Sequence, residues 1–260
     1  MTMAAPGSWD GLAREFDLWA KAGRTAPLWW RDDDATKPAA ALDRLLDLAG
    51  TAGVPVCLAI IPADANAALA GRLGETAPDL AVAVHGWGHR NHAPEGEKKA
   101  EFGPHRPIDE MAAEAARGLA RTVALFGDRA LAVFVPPWNR IAPGLIPRLP
   151  AAGFTGLSGR GTPKSSTPVT GITVADIHSD MVDWRARAFG GEASVLATIT
   201  AELEARRGAG GPLPQPVGVL SHHLVMDEPA WRFAGRLAAA VANHPGAGWT
   251  APRHVFGAGS

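Results

Sequence analysis

The chain has 260 residues, 47% of them hydrophobic, and a formal net charge of −1. This length permits a large core, and we expect one α/β domain over residues 1–260. Charges of both signs are spread along the chain, which predicts no nucleic-acid partner, and no apolar run reaches the roughly 20 residues that span a bilayer.

Stretches of helical periodicity alternate with apolar runs that predict strands. The predicted strands are 28–30, 54–61, 80–84, 130–135, 153–158, 171–175 and 217–220. The predicted helices are 8–23, 38–49, 66–73, 107–126, 145–152, 193–207 and 228–243. This alternation predicts a parallel sheet. The polar segment 91–106 is longer than most connections and suggests a functional loop.

The termini and the single cysteine bear on the compartment. The stretch from Met1 to Asp10 lacks the positively charged start and the apolar segment of a signal peptide. We therefore expect a soluble, cytoplasmic protein. Cys57 is the only cysteine, which excludes an intrachain disulfide, and the apolar run around it predicts a packing role.

Two histidines, His85 and His89, follow the third predicted strand. Their spacing of four residues puts both imidazoles on one side of either a strand or a helix. Neutral imidazole is a common zinc ligand, and a carboxylate from elsewhere could complete a three-ligand site with one open position. The alternative is one structural and one exposed histidine. The pair indicates a divalent-metal site.

Ionisable and aromatic residues follow several other predicted strands. Each cluster alone has a structural explanation, such as a helix cap, a core histidine or a packed tryptophan. Together, at the carboxyl ends of parallel strands, they favour an active site at the mouth of a barrel. These residues are Asp32, Asp33, Asp34, Trp87, Trp138, Asp180, Asp183, Trp184, His222 and His223.

The order of these motifs resembles that of the polysaccharide deacetylase family, the carbohydrate esterases of family four. The matching motifs are Asp-Asp after strand one, His-x-x-x-His after strand three, Pro-Pro-aromatic after strand four, Asp-x-x-Asp-Trp after strand six and Leu-x-His after strand seven. They span residues 28–224. The resemblance implies a distorted seven-stranded parallel (β/α) barrel, similar to a TIM barrel. It also implies a divalent metal held by Asp-His-His and hydrolysis of an acetyl group on a sugar.

The first motif allows two registers. The family has one Asp-Asp pair followed by glycine, whereas this chain has Asp32-Asp33-Asp34-Ala35. With Ala35 in the position of the glycine, Asp33 is the catalytic base and Asp34 the metal ligand. In the shifted register Asp32 is the base and Asp33 the ligand. We prefer the first register, with zinc as the expected ion and with Asp34, His85 and His89 as its ligands.

The third motif departs from the family. It normally supplies an arginine that orients the base, but Val135 stands in that position. Arg31 lies two residues before Asp33, so strand alternation points both side chains the same way and the guanidinium could take over that role. Arg140 is the other candidate.

The resemblance implies metal-assisted deacetylation. Asp33 would act as base, and His222, with Asp180 as its charge partner, would act as acid. We expect Trp87, Trp138 and Trp184 to form apolar walls for a small-molecule or oligosaccharide substrate, with N-acetyl preferred to O-acetyl. Two alternatives stay open: hydrolysis of another C–N bond, as in a cyclic amide or ureide, and a barrel that binds a ligand without turnover.

Overall fold

The computed structural model describes residues 7–76, 79–160, 169–209 and 215–257, so residues 1–6 of the stretch from Met1 to Asp10, on which the compartment was predicted, lie outside the described part. Strands and helices alternate over most of this length. The strands are β1 Ala26–Ala35, β2 Val56–Ile60, β3 Leu80–His85, β4 Ala130–Val135, β5 Gly156–Leu157, β6 Thr173–Val174, β7 Ile177–Asp180, β8 Val182–Asp183, β9 Ala188–Phe189, β10 Val217–Ser221 and β11 Ala247–Trp249. The helices are α1 Trp9–Lys21, α2 Ala40–Ala52, α3 Ala67–Gly74, α4 Ile108–Phe126, α5 Glu192–Gly208, α6 Glu228–Ala242 and α7 Pro252–Val255.

One curled sheet organises the molecule. Its strands follow the order β6-β5-β4-β3-β2-β1-β10-β7, and β11 also pairs with β1. All of these pairings are parallel, so the carboxyl ends of the strands meet at one edge of the sheet. Within the described residues the path ends at β6 and β7, which gives an open, distorted (β/α) barrel. The expected α/β barrel class is confirmed.

The two faces of the sheet bury different side chains. The inner face carries Trp29, Cys57 and small residues such as Ala59 and Ala83, as a tightly curled sheet requires. The outer face carries larger residues, such as Leu28 and Trp30, which pack against α1, α2, α3, α5 and α6. Residues that alternate along β1 therefore point either into the barrel or toward the helices.

The sheet has more strands than the seven predicted. The predicted sixth strand, 171–175, is a two-residue strand, and the chain then forms β7, which pairs with β10 on the far side of the sheet. The strand β11 and the helix α7 were not predicted. The predicted helix 145–152 is instead a 3₁₀ turn over Pro143–Arg148.

The remaining helices lie close to their predicted positions. Ser8 caps α1 by accepting a hydrogen bond from the Gly11 amide, and Asn66 caps α3 in the same way at Leu69. None of the helices among the described residues combines the length and apolarity needed to cross a bilayer. Cys57 is buried and unbonded on the inner face, in the packing position predicted for it.

Candidate active site

The end of β1 presents two successive aspartates to the same cavity. Asp33 pairs with Ala59 and Ala35 with Ile60, so Asp34 forms a β-bulge. The φ of Asp34 is +76°, in the left-handed region that Asp adopts more readily than most residues. Regular alternation would point Asp33 and Asp34 to opposite faces. The bulge lets both line the cavity.

Arg31 holds Asp33 inside the barrel. Its Nε and Nη2 donate to the two carboxylate oxygens at 2.8 and 2.9 Å, a bidentate pair. Its Nη1 donates to the carbonyl and hydroxyl oxygens of Ser158, and Nη2 also donates to Asn139 Oδ1. Arg31 is fully buried. Arg140 instead donates to the Lys99 carbonyl oxygen, so of the two candidate arginines it is Arg31 that contacts Asp33.

His85, His89 and Asp34 converge at the carboxyl end of the sheet. Asp34 Oδ1 lies 3.2 Å from His85 Nε2 and 3.5 Å from His89 Nε2. One ligand atom from each residue lies within 4.8 Å of the others. His85 Nδ1 lies 3.0 Å from the Val135 carbonyl oxygen, and donation to that oxygen leaves Nε2, which faces Asp34, as the nitrogen that would lose its proton to bind a cation. One carboxylate and two imidazoles with this orientation suit zinc.

The charges in this cluster shift its pKa values. Burial opposes ionisation of Asp34, but the hydrogen bond from His85 and the charges of His85, His222 and His89 hold its pKa well below the usual range. Burial and the charge of His85 lower the pKa of His89. A depressed carboxyl pKa and a neutral His89 imidazole are the protonation states that a cation requires of its ligands. Burial lowers the pKa of His85, but the charges of Asp33 and Asp34 outweigh burial and raise it, so a cation would displace a proton from His85. The donor set therefore fits a divalent ion.

A loop, and not a regular element, brings His89 to the site. We expected both histidines on one side of a strand or helix, but β3 ends at His85 and His89 follows in an irregular segment. Gly86 and His89 both have positive φ, +62° and +52°, which turn the chain back. The expectation about regular spacing was therefore wrong, although the two imidazoles do lie side by side with ring centroids 5.1 Å apart.

Glu101 supports this loop and was missed in the sequence. Its side chain is buried and accepts hydrogen bonds from the amides of Trp87, Gly88 and Arg90 at 3.2, 2.8 and 3.4 Å. A Cβ at Gly86 would lie 2.2 Å from Glu101 Oε2, so a side chain there would displace the carboxylate. The only signal in the sequence was the length of segment 91–106.

His222 lies at the opposite side of the cavity from the histidine loop, with Asp180 and Trp184. Its Nδ1 is 3.9 Å from Asp180 Oδ1, longer than a hydrogen bond, and has no other partner among the described residues. The oxygens of Asp180 accept from the Val182 amide and Trp184 Nε1. Burial raises the pKa of Asp180, against the opposing charge of His222. Asp180 is thus a neighbouring charge for His222 and a hydrogen-bond acceptor for the Trp184 ring.

The cavity between these groups has a volume of about 510 Å³. Trp138 and Trp184 form parts of its wall, and their rings contact those of His89 and His222 respectively. Its lining residues are Asp33, Asp34, His85, His89, Trp138, Asn139, Arg140, Arg160, Asp180, Trp184 and His222. Asp183 is exposed and caps the turn at Arg185.

Trp87 is absent from the cavity. Its ring lies under the guanidinium of Arg117, 4.0 Å from the ring centroid, and it packs against the cluster beneath α4. Trp87 follows a left-handed glycine that turns its side chain away from the barrel mouth. The expectation that it walls the substrate is therefore corrected.

Asp32 points to the outer face of β1, away from the cavity. Its Oδ1 lies 2.5 Å from His223 Nδ1, and its Oδ2 accepts from Ser221 Oγ at 2.5 Å and from the His223 amide at 3.0 Å. All three residues are buried. Alternation along the strand explains this orientation. The shifted register, with Asp32 as base, does not correspond to this arrangement.

Comparisons with known proteins identify the fold. No family model matches the sequence, and no curated protein matches it. Among solved structures 44 chains match. A polysaccharide deacetylase from Mycobacterium smegmatis described as putative has 18% identity and a TM-score of 0.60, with 96% of this chain and 91% of that one covered.

Two esterases are similar over comparable lengths. The family 4 carbohydrate esterase from Streptomyces lividans, in complex with acetate, has 16% identity and a TM-score of 0.53, covering 85% of this chain and 90% of that one. The family 4 acetyl xylan esterase from Clostridium thermocellum, in complex with a cobalt ion, has 16% identity and a TM-score of 0.51, covering 89% and 91%. The resemblance inferred from the motifs is therefore confirmed in the fold, and the chain has the fold of the family four carbohydrate esterases and polysaccharide deacetylases.

Proposed function

We propose that this chain is a metal-dependent hydrolase that removes an acetyl group, N-acetyl in preference to O-acetyl, from a sugar or glycan. One observation carries the proposal. A carboxylate held by a buried arginine, Asp33, stands beside an Asp-His-His set and shares a cavity with His222. These are the groups that metal-assisted hydrolysis of an acetyl group uses: a base, a cation site and an acid.

Asp34, His85 and His89 would hold the metal. The carboxylate and the two Nε2 atoms face one another, and the Val135 carbonyl oxygen fixes the His85 ring. Zinc is the ion we propose, because it commonly takes imidazole nitrogen and carboxylate oxygen as ligands. When bound, such an ion supplies Lewis-acid polarisation of the acetyl carbonyl and a lowered pKa for the attacking water.

Asp33 would take the proton from the attacking water. The bidentate contact with Arg31 orients both carboxylate oxygens and supplies a counter-charge in a site where the carboxylate is only 2% exposed. Ser158 and Asn139 fix the guanidinium in turn. We assign Arg31 the role of orienting the base, in place of the arginine that the family has where this chain has Val135.

His222 would deliver the proton to the leaving group. The water oxygen bonds to the acetyl carbon, the C–N bond breaks, and the amine nitrogen gains a proton from His222, so that acetate and the free amine are the products. Asp180 would be its charge partner, with Oδ1 at 3.9 Å from Nδ1. The rings of Trp138 and Trp184 would contact the apolar face of the sugar.

The test is acetate release. Zinc-loaded protein would be incubated with N-acetylglucosamine oligomers, O-acetylated xylo-oligosaccharides and cyclic amides, with chelated protein and Asp33→Asn as controls. We expect acetate from the N-acetylated sugar only when zinc is bound, and none from Asp33→Asn although it retains zinc. Opening of a cyclic amide without acetate release would favour hydrolysis of another C–N bond. Binding of sugars without any product would indicate a barrel that binds a ligand without turnover.

A further inference from the structure

A second cavity of about 640 Å³ adjoins the first at the carboxyl ends of β4 and β5. The two cavities share Asn139, Arg140 and Arg160 as lining residues, so they lie side by side with these three residues between them. Pro136, Leu157 and Gly159, which follow or end those strands, form the base of the second cavity. Ligands of α/β folds bind at this edge of the sheet. We call the second cavity the side groove.

The side groove is cationic. Its charged lining residues are Glu97, Lys98, His105, Arg140 and Arg160, which gives three fixed positive charges against one carboxylate. Glu97 lies 3.6 Å from His105, and within the described part of the chain no carboxylate lies at ion-pair distance from Arg140. Among the described residues Arg160 makes no ion pair or hydrogen bond; its charge acts at longer range on Asp180, and the side chain is exposed beside the candidate active site.

The position of Arg140 is fixed in advance. Its Nη1 donates to the Lys99 carbonyl oxygen at 2.6 Å, which leaves the other donors of the guanidinium at the junction of the two cavities. The left-handed residues Trp138 and Asn139, each with φ of +54°, set the direction of the chain that carries it. A planar guanidinium held in place matches a carboxylate or phosphate in geometry as well as in charge.

A neutral acetylated sugar needs neither of these arginines, because an apolar wall and hydrogen bonds suffice for it. Two arginines at the junction would bind an anionic group if the substrate carries one. We propose that the substrate of this site carries an anionic group, carboxylate or phosphate, next to its acetylated unit, and that this group binds in the side groove between Arg140 and Arg160. This inference rests on the proposed function for the acetyl group, but the anion site itself does not depend on turnover.

The experiment compares three sugars that differ in charge: N-acetylglucosamine, N-acetylglucosamine 6-phosphate and N-acetylmuramic acid. Binding to zinc-loaded protein is measured by calorimetry, and acetate release is measured in parallel. The variant is Arg140→Gln/Arg160→Gln. The control is Arg148→Gln, an arginine that lines neither cavity and pairs with Asp109 on the surface.

We expect one of the two charged sugars to bind at least about 10-fold more tightly than the neutral one. That preference should disappear in the double variant, a loss of at least about 10-fold, as expected for charge-assisted hydrogen bonds, and should not change in Arg148→Gln. The charged sugar that binds more tightly, the phosphate or the carboxylate, identifies the anion. Equal affinity for all three sugars, or a preference unaffected by the double variant, would overturn the proposal. Tight, arginine-dependent binding of a charged sugar without acetate release would support the anion site and refute the deacetylase activity instead.

Discussion

Replacing Arg31 with methionine should cost the protein about 3–5 kcal/mol of unfolding free energy, the usual cost of breaking a buried ion pair by removing one partner. Arg31 donates two hydrogen bonds to Asp33, two to Ser158 and one to Asn139. Methionine fills a similar volume but donates none of these bonds. Asp33, at 2% exposure, would be left as a buried carboxylate without its counter-charge.

This loss is a large part of the roughly 5–15 kcal/mol by which a domain is stable. At about 2–4 °C per kcal/mol for a chain of this size, the melting temperature should fall by roughly 6–20 °C. Arg31→Met/Asp33→Asn removes the charge that the single change leaves uncompensated. The double variant should therefore recover about 1–3 kcal/mol relative to Arg31→Met, within the range of coupling energies for residues in contact.

Urea unfolding without added metal provides the measurement, because a bound ion would add its own stabilisation. The single variants Arg31→Met and Asp33→Asn, the double variant and the parent complete a thermodynamic cycle. An unfolding midpoint of Arg31→Met equal to that of the parent would refute the reasoning. So would a double variant no more stable than Arg31→Met, since the carboxylate would then not depend on the guanidinium.

The other predictions concern the metal ligand, the acid and the contact between Asp32 and His223 on the outer face of β1, which we call the outer pair. Asp34→Ala should lose zinc by elemental analysis, whereas Asp33→Asn should retain zinc and lose turnover; the shifted register expects zinc loss from Asp33→Asn. His222→Ala should lower kcat by roughly 10²- to 10⁴-fold with zinc retained, and a turnover equal to that of the parent would exclude it as the acid. Burial lowers the pKa of His223, but the charge of Asp32 outweighs burial and raises it. This pair should therefore stabilise the protein fully below about pH 6.5 and lose its effect as the pH rises through the higher folded pKa. The melting temperature of the parent should fall more steeply above neutral pH than that of His223→Gln, and identical slopes would contradict the raised pKa.

The sequence predicted the elements whose apolar pattern is strong. The strand β4 has the predicted bounds, and the helices lie within a few residues of the 3.6-residue pattern. The prediction from the sequence failed for β7. This strand, Ile177–Asp180, alternates buried and half-buried residues, but few of them are apolar. The pairing of this strand with β10, which hydrophobicity does not encode, makes it a strand.

At the site, residue types were predictable but side-chain directions were not. The motifs indicated Asp33, Asp34, His85 and His89, all of which the structure brings together. The bulge at Asp34 changes the backbone conformation of a single residue, and no pattern in the sequence distinguishes this bulge from a regular strand. The direction of the Trp87 side chain was also not predictable: the preceding Gly86 is left-handed, and the Trp87 ring packs against Arg117 of α4.

The outer pair explains how two distant parts of the chain keep the candidate base and acid in register. Asp32 precedes Asp33, and His223 follows His222, so each member of the pair is the chain neighbour of a candidate catalytic residue. The contact between Asp32 and His223, at 2.5 Å, joins the ends of β1 and β10 on the face away from the cavity. Because alternation along β1 points Asp32 away from the cavity, this contact fixes the backbone behind the site without occupying any of it. Substitutions inside the cavity can then change the substrate while the relative position of base and acid is preserved.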